Sequence, residues 1–355
     1  MSEELQRYRA QIDAIDDQLL GLVSERAKLA RTIGSLKNGG PIYRPEREAQ
    51  VLRRLLEQNP GPLSDEAITA VFRTVMSNCR ALEKELSVAF LGPLGSYSEE
   101  AAIKQFGGLS RPVQCTSIDE VFRFVEARLV DYGVVPVENS TEGAIGRTLD
   151  MLLASSAQVC GEVDLAVHHN LLAKTADKAK VETVLAHPQA LAQCHEWLNQ
   201  HLPGIQRLPV ASNSEAARFA AERSEVAAIA SRRAGELYGL NLLAENIEDD
   251  PRNTTRFLVI ASHDVAPSGR DKTSLAMSAR NVPGAIVELL GPLAENDVSM
   301  TKLESRPSHA GMWEYIFFVD IEGHRTDPKV ARALAALQQK AAFLKVLGSY
   351  PVAVI

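Results

Sequence analysis

The sequence predicts a multidomain chain in which an all-α segment comes first, a two-lobed α/β segment follows, and an α+β segment comes last. Three changes of rhythm carry that expectation. Apolar residues first recur in steps of three and four. They then fall in short strand-like runs alternating with helical stretches, and finally, past a polar linker, in one compact β-α-β-β-α-β order. At 355 residues the chain has room for two or three domains.

From Leu5 to Leu36 the apolar positions are 5, 8, 12, 15, 19, 22, 29, 33 and 36, the heptad seam of a long helix. Asn38-Gly39-Gly40-Pro41 stops it. Two further helical stretches, 44–58 and 64–86, flank the breaker Asn59-Pro60-Gly61-Pro62, so residues 1–86 read as all-α. A helix of ~33 residues extends ~50 Å, too long for a three-helix monomer of this size. Its seam must be buried against another chain, and an intertwined dimer is expected.

At Ser87 the pattern becomes strand-like. Val88-Ala89-Phe90-Leu91 reads as a buried strand and Gly92-Pro93-Leu94-Gly95 as a strand-to-helix turn. Further strands are expected near 112–115, 131–137, 158–167, 182–186, 206–210, 226–230 and 256–261, with helices between them in a mostly parallel α/β arrangement. One sheet or two lobes around a cleft both fit this length. Two lobes are favoured because candidate site residues fall in both halves. Residues 262–272, polar with Pro and Gly, form a linker. Beyond it come strand 273–279, helix 284–295, strands 298–305 and 313–321, helix 327–341 and strand 343–350, the ferredoxin-like order.

Composition narrows the function. Hydrophobic residues at 45% and charged residues at 23% are ordinary for a soluble globular protein. The net charge of -7 argues against nucleic acid as a partner, so an anionic ligand must be held by locally placed Arg and Lys. No run of 18 apolar residues occurs, so no membrane association is expected. Cys79, Cys115, Cys160 and Cys194 form no C-x-x-C pair and read as reduced thiols. The acidic start Met1-Ser2-Glu3-Glu4 lacks the apolar run of a signal peptide, and a cytoplasmic protein is expected. His195-Glu196 is followed by Asn199, which breaks H-E-x-x-H, so no metal site is expected.

Arg26 occupies the seam between Leu22 and Leu29, where an apolar residue belongs. A register-setting or snorkelling arginine is one reading. The other starts from Lys37, which lies 11 residues on, within ~20° of the same face and ~16 Å along the axis, so that both side chains can converge on one anion. Arg9 lies ~25 Å from Arg26, out of reach within one straight helix, but an antiparallel partner helix would bring it back.

The pattern Arg9-x2-Ile12-x3-Asp16-x2-Leu19-Leu20-x5-Arg26, then Lys37, then Tyr43-Arg44-Pro45-Glu46-Arg47-Glu48, resembles the all-helical chorismate mutases over residues 3–86. The resemblance implies rearrangement of chorismate to prephenate with no cofactor. It implies that Arg9, Arg26 and Arg47 hold carboxylates, that Lys37 donates to the ether oxygen, and that Glu48 binds the substrate hydroxyl. Arg44, Cys79 and Glu83 stand at further substrate positions, where an aspartate, a serine and a glutamine can occur. Glu83 is chemically suited to the ether oxygen only when protonated, because a carboxylate cannot donate.

In the α/β segment, Gly92–Ser98 opens a helix after a strand, where backbone N–H groups bind anions; it is neither G-x-G-x-x-G nor a P-loop, and taken alone it reads first as a plain turn. Pro136-Val137-Glu138-Asn139-Ser140-Thr141-Glu142-Gly143 ends a strand with a run of hydroxyl and amide groups, and Ser140 or Thr141 as a helix cap is the plainer alternative. With His187-Pro188-Gln189 and Asn253-Thr254-Thr255-Arg256-Phe257, these strings resemble prephenate dehydratase over residues 87–262. The resemblance implies a two-lobed, periplasmic-binding-protein-like domain converting prephenate to phenylpyruvate, with Thr255 essential. Asn139, Ser140, Thr141 and Gln189 would bind substrate polar groups, and Arg256 a carboxylate or the loop itself.

Asn281-Val282-Pro283-Gly284-Ala285 and Leu303-Glu304-Ser305-Arg306-Pro307 resemble the ACT domain of phenylalanine-regulated dehydratases over residues 273–355. Gly284 and Ala285 would let a ligand backbone approach, and Glu304, Ser305 and Arg306 would meet the ammonium and carboxylate of phenylalanine. Feedback inhibition and a homodimer or dimer of dimers are implied. Deleting residues 270–355 is then expected to leave a dehydratase that ignores phenylalanine. A non-catalytic two-lobed sensor and a monofunctional dehydratase with a dimerising helical segment are the competing readings. Thr255, Arg26 and Lys37 weigh against the first, and the Arg26/Lys37 face against the second.

Overall fold

The computed structural model describes residues 3–36, 40–279, 282–307 and 315–354. Its N-terminal unit is three helices: α1 (Glu3–Leu36), α2 (Pro45–Glu57) and α3 (Asp65–Ala81). Pro45 sits in the first turn of α2, where a missing N–H leaves no bond unmade. Ser64 caps α3 by accepting from the Ala67 N–H. α3 stops at Ala81, not at 86, and Leu82 and Glu83 form a turn. α1 runs 34 residues without one buried side chain, and Ile12, Ile15, Leu19, Leu22, Leu29 and Ile33 of its seam are all exposed.

The first lobe follows with β1 (Ser87–Leu91), α4 (Tyr97–Phe106), β2 (Arg111–Cys115), α5 (Ile118–Glu126), β3 (Tyr132–Asn139), β4 (Gly143–Ala144), α6 (Gly146–Ala154) and β5 (Gln158–Ala166). The chain then crosses to a second lobe of β6 (Asn170–Ala173), β7 (Thr183–Ala186), α7 (Pro188–Gln193), α8 (His195–His201), β8 (Gln206–Pro209), α9 (Asn213–Glu222), β9 (Val226–Ala230), α10 (Arg232–Tyr238) and β10 (Asn241–Ala244). It returns as β11 (Thr254–Ala261), which slots between β3 and β5. The sheet orders are β2-β1-β3-β11-β5 and β10-β6-β9-β7-β8.

Both sheets are mixed, which corrects the expectation of mostly parallel pairing. β11 runs antiparallel to β3 and β5, and β6 antiparallel to β9 and β10. An apolar run reads as a buried strand whichever way it points, so direction was not in the pattern. The parallel strands β1, β3, β7, β8 and β9 aim their C-terminal ends at the cleft, where open α/β sheets place ligands. Ser231 Oγ donates to the Gly95 carbonyl at 3.1 Å and Tyr97 to the His168 carbonyl at 2.8 Å, tying the lobes together.

The C-terminal unit is β12 (Asp271–Ser278), α11 (Ala285–Glu295), β13 (Met300–Pro307), β14 (Tyr315–Glu322), α12 (Pro328–Lys340) and β15 (Phe343–Pro351), in sheet order β13-β14-β12-β15. Its helices cover one face through Leu289, Leu293, Val330, Ala333 and Leu337. The other face is not free: Ala276, Phe318, Leu347 and Tyr350 share one core with Val135, Leu149, Leu152 and Val159 of the first lobe. At Gly348 a Cβ would come within 2.0 Å of the Val159 carbonyl oxygen, so only glycine admits this approach. Val354 continues into the helical unit and packs among Ala49, Leu52 and Met76. No helix among the described residues is long and apolar enough to cross a membrane.

Candidate active sites

A cavity of about 440 Å³ opens between α1, α2 and α3. Arg26 and Ile33 line it from α1, Arg44, Arg47 and Glu48 from the start of α2, and Cys79, Arg80 and Glu83 from the end of α3. Six of the sequence-predicted residues, Arg26, Arg44, Arg47, Glu48, Cys79 and Glu83, therefore meet at one place. Arg9 does not line this cavity and is exposed on α1. Lys37 lies outside the described residues.

Arg80 was missed. It is 7% exposed, forms an ion pair with Glu48, donates to the Phe106 carbonyl at 2.7 Å and lies 4.8 Å from the centroid of the Tyr43 ring. The signal was the one that singled out Arg26: a cation one turn after Met76, on the buried face of its helix. Burial pushes the Glu48 carboxyl up, while Arg80 pulls it down. Four guanidiniums against two carboxylates leave the cavity suited to a dianion.

Glu83 lies against α1 so closely that a Cβ on Gly34 would meet its Cγ at 2.6 Å and its Oε2 at 2.8 Å. A flexible side chain can yield, so Gly34→Ala should cost little stability and instead re-aim Glu83. Mutase turnover is expected to fall at least about tenfold, as a misplaced catalytic group does, with dehydratase turnover unchanged. A wild-type mutase rate in that variant would remove Glu83 from the chemistry.

The second cluster is set by β-sheet register, which places Thr255 of β11 directly opposite Asn139 of β3. Both are buried. Asn139 Nδ2 donates to Thr255 Oγ1 at 2.8 Å and to Asn253 Oδ1 at 2.9 Å. Asn253 Nδ2 donates to Gln193 Oε1 at 3.2 Å, and Gln193 Nε2 donates to Thr141 Oγ1 at 3.1 Å. Thr141 closes the ring by donating its hydroxyl to Asn139 Oδ1 at 2.6 Å and its N–H to the same oxygen at 3.1 Å. Ser140 Oγ accepts from the Thr254 N–H at 3.0 Å and latches the two strand ends together. Gln189 lies on α7 one turn before Gln193. Asn253 and Gln193 were not among the predicted residues; Asn253 opened a string already singled out, and Gln193 lies four residues beyond Gln189.

Arg256 is the correction here. It points to the opposite face of β11 from Thr255, where its guanidinium meets Glu162 at 2.7 Å, Asp320 at 2.6 Å and the Tyr350 hydroxyl at 3.0 Å. Every arm of the fork is engaged between the first lobe and the C-terminal sheet, so it does not join the prephenate cluster.

In the C-terminal unit, Gly284 caps α11 with φ +82, a conformation that favours glycine. Phe317 of β14 pairs with both Met277 and Ser305, so the end of β12 that leads to Gly284-Ala285 is level with Ser305-Arg306. Glu304 and Arg306 share one face of β13, and Ser305 faces the other way. Arg306 also departs from expectation: it pairs with Asp150 at 3.2 Å and donates to the Gly146 carbonyl, so its charge is spent on the first lobe.

Two chemically distinct clusters on separate folds, joined to a third unit of sensor-like topology, define a bifunctional enzyme. The chain matches chorismate mutase type II over residues 8–84, prephenate dehydratase over 88–265 and the ACT domain over 273–339. It is 52% identical to the bifunctional chorismate mutase/prephenate dehydratase of Neisseria gonorrhoeae, over 100% of this chain and 99% of that protein. The Escherichia coli K12 protein of the same description is 34% identical over 97% and 95%. A solved prephenate dehydratase from Arthrobacter aurescens in complex with L-Phe is 32% identical, with TM-score 0.69, over 75% of this chain and 90% of that one. The chain belongs to the bifunctional chorismate mutase/prephenate dehydratase family, an isomerase and a lyase of phenylalanine biosynthesis on one polypeptide.

Proposed function

We propose that the helical cavity rearranges chorismate to prephenate, and that the Thr255 cluster then converts prephenate to phenylpyruvate. In the cavity Arg26, Arg44, Arg47 and Arg80 fix the two carboxylates of a flexible substrate in a reactive conformer, which lowers the entropic part of the barrier. Lys37 supplies a hydrogen bond to the ether oxygen as charge develops there, and Glu83 stands at the same oxygen. No covalent intermediate and no cofactor are needed. In the second step the substrate carboxylate leaves as carbon dioxide, its electron pair makes the ring aromatic, and the ring hydroxyl departs with a proton.

The observation that carries this reading is the 2.8 Å bond from Asn139 Nδ2 to Thr255 Oγ1. Thr255 accepts there, so its own proton is free for the leaving hydroxyl. Asn139, Ser140, Thr141 and Gln189 frame the substrate.

The chain divides at 1–86, 87–262 and 273–355, with phenylalanine held near Gly284-Ala285 and Glu304-Ser305 between paired C-terminal units. The exposed seam of α1 supports a homodimer, or a dimer of dimers, in which Arg9 of one copy serves the cavity of the other. A cytoplasmic location fits these small-molecule substrates. A coupled assay tests the whole: chorismate supplied alone should yield phenylpyruvate, and added phenylalanine should suppress it. Accumulation of prephenate without phenylpyruvate, or a rate indifferent to phenylalanine, would overturn the corresponding part.

A further inference from the structure

The ring Asn139–Asn253–Gln193–Thr141 can run in two senses. In the sense described, Asn139 turns its Nδ2 toward Thr255, and Thr255 keeps its proton. In the reverse sense, Asn139 would turn its oxygen toward Thr255, whose hydroxyl would then donate to it and hold nothing for a leaving group. Two donors outside the ring choose between them. One is the Thr141 N–H, which requires an oxygen at that end of Asn139. The other is His169, whose Nε2 lies 2.9 Å from Gln193 Oε1.

His169 is built for that task. It is 2% exposed, and its backbone N–H donates to Glu248 Oε2 at 2.8 Å. The Thr141 N–H sets Gln193 to present an oxygen, so Nε2 carries the hydrogen and Nδ1 accepts; the Tyr97 hydroxyl, 2.9 Å from Nδ1 and 2.8 Å from the His168 carbonyl, shares its one proton between them. Burial favours the neutral ring, with Gln193 and Glu248 opposing and His168 adding to the effect. In the reversed ring Gln193 would set its NH2 against the imidazole N–H, a collision of donors in a buried place.

We propose that His169 is a positioning residue of the dehydratase site: through Gln193 it fixes the sense of the four-residue ring, so that Thr255 accepts from Asn139 and keeps its proton for the substrate. The inference rests on the reading of Thr255 as that donor. His169 touches no reacting atom itself.

The contrast between two amides tests it in the full-length enzyme. The amide nitrogen of His169→Gln reaches the place of Nε2, and that of His169→Asn only the place of Nδ1. His169→Asn should lower the kcat for phenylpyruvate about 100-fold, the scale of a lost proton donor, with the KM for prephenate moved less than about threefold. His169→Gln should stay within about tenfold of wild type. His169→Asn combined with Gln193→Met should be no slower than Gln193→Met alone, since the two act through one bond. The thermal melt of each full-length variant, set against that of the wild type, reports folding. Equal kcat for the Gln and Asn variants, or losses that multiply in the double variant, would overturn the role of His169. Thr255→Val separates the two failures: if it is inactive while His169→Asn is fully active, only the inference falls, and if it is active, the reading of Thr255 falls as well.

Discussion

Replacing Thr255 by valine should lower phenylpyruvate formation about 10²- to 10⁴-fold, the contribution of a positioned proton donor, while the same chain goes on converting chorismate to prephenate. Valine keeps the shape of threonine and loses only the hydroxyl, so the packing around β11 survives. What is lost is the group that Asn139 holds at 2.8 Å. The Asn139 amide would keep Asn253 at 2.9 Å as its other acceptor. One orphaned N–H beside a cleft costs about 1–3 kcal/mol, a minor charge against the fold. The mutase cavity draws its lining from residues 26–83, and none of the Thr255 ring residues is among them. Rates for both steps on one preparation decide the matter. Equal losses in both activities would mean that the sites are not separate.

How much of this could be read beforehand depended on whether the information was local. The long helix α1 and the order of the C-terminal unit are spelled in neighbouring residues, and both elements form as expected. The pairing of Asn139 with Thr255 spans 116 positions and follows from β11 entering between β3 and β5, which no local pattern encodes. Arg256 is different, because its placement was legible. Adjacent residues of a strand face opposite ways, so a string with Thr255 in the site puts Arg256 behind it. The shared core also left a trace. Residues Thr273–Met277 of β12 are buried without alternation, the mark of a strand covered on both faces, whereas one pair of helices can cover only one. Arg80 repeated the signal of Arg26 in a shorter helix, where one interrupted turn stands out less.

Arg256→Ala should destabilise the middle of the chain by about 3–5 kcal/mol, the cost of breaking a buried charge network from one side. Glu162, Asp320 and Tyr350 converge on this guanidinium, and Lys272 reaches Glu162 at 2.8 Å. Burial opposes the charge, yet Tyr350, Asp320 and Glu162 hold the arginine above its ordinary range. Without it, Lys272 remains for Glu162, but Asp320 keeps only hydrogen bonds such as that from Ser274 at 2.5 Å. A thermal transition followed by loss of dehydratase activity should fall by roughly 10 °C. Deleting residues 270–355 should do more. The sequence alone suggested a surviving dehydratase deaf to phenylalanine. The structure gives that fragment an opened core at Val135, Leu149 and Val159, a stranded Arg256–Glu162 pair, and a helical unit without Val354. Truncation should therefore abolish dehydratase folding, not release it from control. A monodisperse fragment of residues 1–269 with wild-type dehydratase kcat would show the shared core to be dispensable.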